Sequence, residues 1–283
     1  MKQRRGHLPI HVAASSTPEV LKLLLEKGAE PDIAVDQEGS RDHGSTPLSL
    51  ACHPFTNNAQ IAQILLDAGA NPNKDMGGSQ TIFLSAVFSA NVWATKLLLD
   101  SGSVDLKLPV HANTPALLVA ASMGHAEICK ILLDAGFDAN IAATDDNDYT
   151  PLHNAAGYGN GETVKVLVDG KANIEARTLD GRRPLHMACF KGKLDCVKVL
   201  LQSGAEIDSV DENGWTSLHF AARYGHMKIV KLLLQPTGSK PAALGMITTG
   251  GPGENMSGCT AADLARSNGH HAIAEFLVEA ESV

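Results

Sequence analysis

The chain has 283 residues, 44% of them hydrophobic, which is ample material for a buried core. Its formal net charge is −8 and its one short basic cluster is Lys2, Arg4 and Arg5, so nucleic acid bound by counterion release is not its expected partner. No apolar run reaches the roughly 18 residues of a membrane helix, no apolar stretch of a secretory signal follows the basic start, and five cysteines without a Cys-x-x-Cys pair read as reduced, buried thiols of a cytosolic or nuclear protein.

In chain order, one phrase recurs. Leu8-Pro9-Ile10-His11 leads into Ala13-Ala14, and Thr46-Pro47-Leu48-Ser49 into Ala51-Cys52. Thr81-Ile82-Phe83-Leu84 leads into Ala86, and Thr114-Pro115-Ala116-Leu117 into Ala120-Ala121. The cleanest copies are Thr150-Pro151-Leu152-His153, Arg183-Pro184-Leu185-His186 and Thr216-Ser217-Leu218-His219, whose second residues stand 33 apart at 151, 184 and 217. Thr260-Ala261-Ala262-Asp263 closes the series. A second phrase follows each first one, as in 20–29, 64–70, 128–136 and 196–204. Self-similarity at such a period marks a repeat array. The copies lie near 5–35, 43–75, 79–108, 112–142, 148–176, 181–209, 214–235 and 259–281, and together make residues 1–283 a single expected domain.

Each unit has readable physics. Proline at the start of a helix loses no hydrogen bond, and the Thr before it can cap the orphan amides. Leu, His and the Ala pair then make a short helix with a small-residue face. Gly124-His125, Gly225-His226 and Gly269-His270 mark the turn into a second helix that is apolar at helical spacing. That helix ends at Gly28, Gly69, Gly102, Gly136 and Gly204, where the backbone can turn left-handed. One pair cannot hide its apolar face alone; stacked pairs can, with degenerate end copies as caps. The Met1 start and the cap-like ends read as a complete polypeptide. The spacing is uneven: Pro9 to Pro47, Pro47 to Ile82 and Pro115 to Pro151 span 38, 35 and 36 residues, so longer fingers are expected near 33–45 and 141–149. The Gly- and Pro-rich stretch 236–258 reads as a flexible insertion, or else as a binding loop presenting Leu244, Met246 and Ile247.

Through the 33-residue period and the Thr-Pro-Leu-His, Ala-Ala, Gly-His, Leu-Leu and Gly-Ala pattern, the chain resembles the ankyrin repeat family from about residue 5 to 280. The resemblance implies an all-α, ankyrin-repeat solenoid of about eight helix-turn-helix repeats with projecting hairpin loops. It implies a binding face on the hairpin tips and the exposed side of the first helices, and a role as a scaffold or adaptor that binds another protein. Mapped onto the family's variable positions, the candidate contacts are Val110, His111 and Met123 in the fourth copy and Asp146, Asn147, Tyr149 and Tyr158 in the fifth. The sixth offers Leu179, Arg182, Phe190 and Lys191, and the seventh Glu212, Trp215, Arg223 and Tyr224. Aromatic residues and arginine are the usual anchors of interfaces. Only 4% of the chain is aromatic, yet Tyr149, Tyr158, Phe190, Trp215 and Tyr224 fall on expected exposed positions of three adjacent copies, unless Trp215 and Tyr149 only cover the hairpin base. The alternative is a regulatory or structural module of a larger assembly. No membrane partner, cofactor or metal is expected, and the chain reads as a monomer by itself.

Enzymatic readings find little support. His11, His153, His186 and His219 share one repeated position, which points to hydrogen bonding within the array. The His270, His271 and Glu275 trio lacks any zinc-site spacing. Cys52 and Cys189 replace alanines and Cys129 and Cys196 sit in second helices, as small buried hydrophobes do. Gly157-x-Gly159-x-Gly161 follows a helix, not a strand, and so reads as an inter-helix turn and not a phosphate loop. Asn73 and Asn140 fall where asparaginyl hydroxylases modify some family members, and read first as turn formers. Glu281-Ser282-Val283 weakly resembles a PDZ-type ligand.

Overall fold

The computed structural model describes residues 7–36, 43–56, 58–74, 81–104, 115–143, 147–235, 241–250 and 256–282. Among them every regular element is a helix, and the helices fall into eight consecutive pairs. These are α1 (Pro9–Ala13) and α2 (Pro18–Glu26), α3 (Pro47–Ala51) and α4 (Ala59–Asp67), α5 (Ile82–Phe88) and α6 (Val92–Asp100), and α7 (Ala116–Met123) and α8 (Ala126–Asp134). They continue with α9 (Pro151–Gly157) and α10 (Gly161–Asp169), α11 (Pro184–Phe190) and α12 (Leu194–Gln202), α13 (Ser217–Arg223) and α14 (Met227–Leu234), and α15 (Ala261–Ser267) and α16 (His271–Glu281). The chain divides into two compact units, residues 1–116 and 117–283.

The helix boundaries follow the repeated phrases. Hydroxyls of Thr46, Thr81, Thr216 and Thr260 accept from the amide three residues on, at 3.2–3.3 Å. The hydroxyls of Thr150 and Thr216 also lie 2.9 and 2.8 Å from Nδ1 of His153 and His219. The expected helix-ending glycines 28, 69, 102, 136 and 204 all have φ between +65° and +92°. In the fifth pair Lys171 takes that left-handed slot, at φ 69°.

In the first unit α1 packs on α3, α2 on α4 and α4 on α6. Leu21, Leu48, Ile61, Leu65 and Leu98 are fully enclosed between them, each stabilising by about 2–3 kcal/mol. Asn91 caps α6 through the Ala94 amide (3.2 Å), while its amide nitrogen donates to the Cys52 carbonyl of the preceding pair (2.9 Å). Finger to finger, Asn71 donates its backbone N–H to Asp32 (2.9 Å), and Asn73 donates to the Ser103 carbonyl (2.6 Å).

In the second unit the first helices α9, α11, α13 and α15 stack in sequence, and α8, α10, α12 and α14 form the second layer. Close stacking needs the small residues: Ala120, Ala121, Ala155, Ala156, Ala188, Ala221 and Ala222 have no exposed surface. Asn160 repeats the device of Asn91, with its Oδ1 on the Thr163 amide (2.9 Å) and its Nδ2 donating to the Gly124 carbonyl (3.2 Å). His226 makes the equivalent reach to the Phe190 carbonyl (3.2 Å). Its ring passes so close to Gly192 that a Cβ there would lie 2.5 Å from Cε1.

The four tetrad histidines behave alike. Nδ1 of His11, His153, His186 and His219 accepts the amide three residues earlier at 3.0–3.2 Å. Nε2 therefore carries the proton and donates to a finger carbonyl: Ile33 (2.8 Å), Arg182 (3.1 Å), Ser209 (2.9 Å) and Met246 (3.0 Å). Each of these four fingers is thus tied to the base of its own repeat.

The last of these bonds changes the meaning of the 236–258 stretch. Met246 accepts from its tetrad histidine as Ser209 does in the preceding repeat, so residues 241–250 form the seventh finger. Ala242 donates to the Leu233 carbonyl (2.9 Å), Ala243 to Asp208 (2.7 Å) and Thr249 to the Asn213 carbonyl (2.8 Å), while Thr248 is buried. Leu244 and Met246 are half-buried and Ile247 is exposed; residues 236–240 and 251–255 lie outside the described part.

Candidate protein-docking face

Three kinds of position converge on one side of the second unit: finger tips, the residues at or just after the C-terminal ends of first helices, and the cleft between them. The finger tips are linked by backbone bonds. Leu179 donates to the Asn147 carbonyl (3.3 Å), Glu212 to that of Asp180 (3.1 Å) and Thr249 to that of Asn213 (2.8 Å). Asn147, Leu179 and Glu212 are exposed on these tips.

The helix ends carry a register of exposed side chains. Met123, Tyr158, Lys191 and Tyr224 occupy the same place in successive repeats, and all four are exposed. From Tyr158 onward the side chains touch. Lys191 Nζ lies 5.0 Å from the Tyr158 ring centre and 4.7 Å from that of Phe190. Phe190 meets Tyr224 edge to face at 4.7 Å. The Arg223 guanidinium lies 5.2 Å from the Trp215 ring and 5.7 Å from that of Tyr224. Arg182 caps Phe220 at 5.3 Å and reaches Asp180 at 3.0 Å. Such cation–ring pairs hold charged heads in place while leaving donors turned outward.

Below the strip is a cleft of about 60 Å³ between Arg182, Phe190, Asp211, Trp215, Arg223 and Tyr224. Asp211 at its floor is buried, and burial raises its carboxyl pKa, opposed by the amides of Trp215 and Asn213 (2.9 Å each).

Two expected contacts move. Trp215 is only 3% exposed, and its indole N–H donates to the Gly250 carbonyl (2.8 Å), so it is not on the exposed surface but holds the seventh finger. Tyr149 is half-buried against His153, with its hydroxyl 3.8 Å from Met187 Sδ; burial raises its pKa. Phe190, Arg182 and Arg223 are half-buried and line the strip. Met123 shares the register one repeat earlier. Val110, His111 and Asp146 lie outside the described residues, as does Val283. Phe220 and Asp211 were missed in the sequence. Phe220 stands in a helix where sister copies carry Asn154 and Met187, and Asp211 had only the Asp-x-x-Gly turn pattern as its signal.

Among the described residues no three His, Cys, Asp or Glu side chains gather as a metal site. Burial pushes the Cys52, Cys129 and Cys189 thiols up to about 12 and Cys196 to about 11, which makes them poor nucleophiles at neutral pH. No helix among the described residues is long and apolar enough to cross a membrane.

A family model described as ankyrin repeats (3 copies) matches the chain over 10–108, 83–178, 117–211, 169–243 and 185–283. The chain belongs to the ankyrin repeat family. Its architecture is an ankyrin solenoid, and ankyrin repeats are in general protein-interaction modules. Among its relatives, protein phosphatase 1 regulatory subunit 12A of Mus musculus is 39% identical over 77 residues, which is 27% of this chain and 7% of that protein. An ankyrin repeat-containing protein of Schizosaccharomyces pombe is 40% identical over 69 residues, 24% of this chain and 32% of the relative. An ankyrin repeat protein of fowlpox virus is 33% identical over 168 residues, 59% of this chain and 36% of the relative. The chain therefore spans well under half the length of each.

Proposed function

We propose that this ankyrin array works as a scaffold or adaptor, binding another protein on the finger and first-helix face of repeats five to seven, and that it catalyses no reaction itself. One observation carries the reading. Tyr158, Lys191, Phe190, Arg223 and Tyr224 form a continuous strip of rings and cations that the repeat pattern does not require, with Tyr158 at 55% and Tyr224 at 42% exposure. Solvent-facing aromatic residues of this kind are typical interface anchors. The half-buried Tyr149 backs this strip and is a lesser contact; Trp215 supports it from beneath.

A second reading is that the bound partner is an enzyme under regulation. Similarity to a protein named as a phosphatase regulatory subunit favours it, on a 77-residue match. Five cysteines without disulfides fit a monomer working in the cytosol or nucleus.

The test is affinity capture from lysate of the source cell with wild type and a Tyr158→Ala/Tyr224→Ala variant of matched circular dichroism. A protein held by the wild type and lost from the variant supports the face. Equal capture by both removes it.

A further inference from the structure

We infer that the partner presents an extended, acidic segment to this face, with carboxylates three residues apart seated on Lys191 and Arg223. The inference rests on the docking reading above and adds the chemistry of the occupant.

In a chain of net charge −8, several described cations of the sixth repeat have carboxylate partners, while Lys193 donates to the Tyr158 carbonyl (3.4 Å). Arg183 is held between Glu175 and Glu206, Arg182 by Asp180, and Lys198 by Asp195. Lys191 and Arg223 are different. Among the described residues no carboxylate lies within ion-pair distance of either; Lys191 rests on Tyr158 and Phe190, and Arg223 on Trp215, Tyr224 and the Met256 sulfur. Asp211, in the cleft beside Arg223, is not its counter-ion, since its oxygens are turned to two backbone amides and to Arg182 (3.8 Å). The two cations are therefore fixed in direction by rings and unmatched in charge.

Their spacing selects the ligand. They sit on consecutive repeats, on either side of the Phe190–Tyr224 ring pair. Neighbouring helices lie about 8–10 Å apart, and an extended chain in the polyproline II conformation rises about 3.1 Å per residue with three residues per turn, so residues i and i+3 share one face about 9 Å apart. An Asp or Glu at i and i+3 reaches both cations. The residues between them cross Phe190 and Tyr224 and gain from being apolar. Nucleic acid is the less favoured occupant, because cations already lie over the rings that bases would stack on.

The experiment is selection of a random 12-residue peptide library displayed on phage against the immobilised full chain. The enriched peptides are then synthesised and titrated. The expected result is enrichment of an acidic pair three residues apart around an apolar residue. Affinity should fall about tenfold or more in Lys191→Glu/Arg223→Glu and fall with rising salt. It should hold in Lys130→Glu/Lys228→Glu, which changes net charge equally elsewhere. If the charge-reversed protein is misfolded by circular dichroism, Lys191→Gln/Arg223→Gln replaces it, with a smaller loss expected. No enrichment, enrichment without acidic pairs, or affinity indifferent to Lys191 and Arg223 would overturn the inference. So would a 12-nucleotide oligouridylate that binds with the same dependence on the two cations. Neutral peptides lost in Tyr158→Ala/Tyr224→Ala would overturn the acidic segment and leave the docking face standing.

Discussion

Nε2 of His186 stands 2.9 Å from the backbone carbonyl oxygen of Ser209, and Nδ1 of the same ring accepts the Arg183 amide at 3.1 Å. The two bonds require a neutral imidazole, because a proton on Nδ1 would meet a donor. His153 makes the same pair of bonds, to Arg182 and Thr150.

A pH dependence follows. Burial lowers the pKa of His153 and of His186 to about 4, against finger-carbonyl bonds that raise it. The unfolded chain takes protons on these residues below about 6.5 while the folded chain does not until about 4, so stability falls as pH drops through that window. The loss approaches about 3 kcal/mol per histidine at the acid end. His11 and His219 shift in the same direction. Urea midpoints between pH 7 and 4.5 should show the decline. His153→Gln, whose amide does not titrate, should show a shallower one.

Gly192 has φ +70°, and a Cβ there would crowd the His226 ring that bonds the Phe190 carbonyl. Gly192→Ala combines a left-handed penalty of about 1–2 kcal/mol with loss of a hydrogen bond worth about 1 kcal/mol. A drop of about 2 kcal/mol in unfolding free energy is expected from chemical denaturation.

Ala90 (φ 53°) and Lys171 (φ 69°) hold left-handed positions without being glycine. In sister repeats glycine fills the same slots, as at Gly124 and Gly136. Ala90→Gly and Lys171→Gly relieve about 1–2 kcal/mol of strain and lose about 0.4–1 kcal/mol to unfolded-state entropy. Each is expected to stabilise by up to about 1.5 kcal/mol, read as a raised thermal midpoint.

Trp215 and Tyr158 should separate cleanly. Trp215→Ala removes a buried ring and the N–H that holds Gly250, at a cost of about 3–5 kcal/mol. Proteolytic cleavage within 241–250 should appear in that variant first. Tyr158→Ala, at an exposed helix end, should change stability by less than about 0.5 kcal/mol while weakening partner capture.

The local signals were legible because their physics acts over one helical turn. Threonine before proline, the apolar face of each second helix and the closing glycine all work within three or four residues. The pairing of helices, the helix-ending glycines and the bonding role of the tetrad histidines therefore follow from the sequence alone. What tertiary structure decided is which distant residue fills each neighbouring space. Trp215 reads as exposed from its own repeat and is buried because Gly250, 35 residues on, folds over it. The stretch 236–258 breaks the period, and long-range bonds such as those of His219 to Met246 and Trp215 to Gly250 reveal that residues 241–250 make the seventh finger. The strip itself forms because superposed repeats bring Lys191 onto Tyr158 and Phe190 onto Tyr224, contacts set by stacking geometry rather than by spacing along the chain.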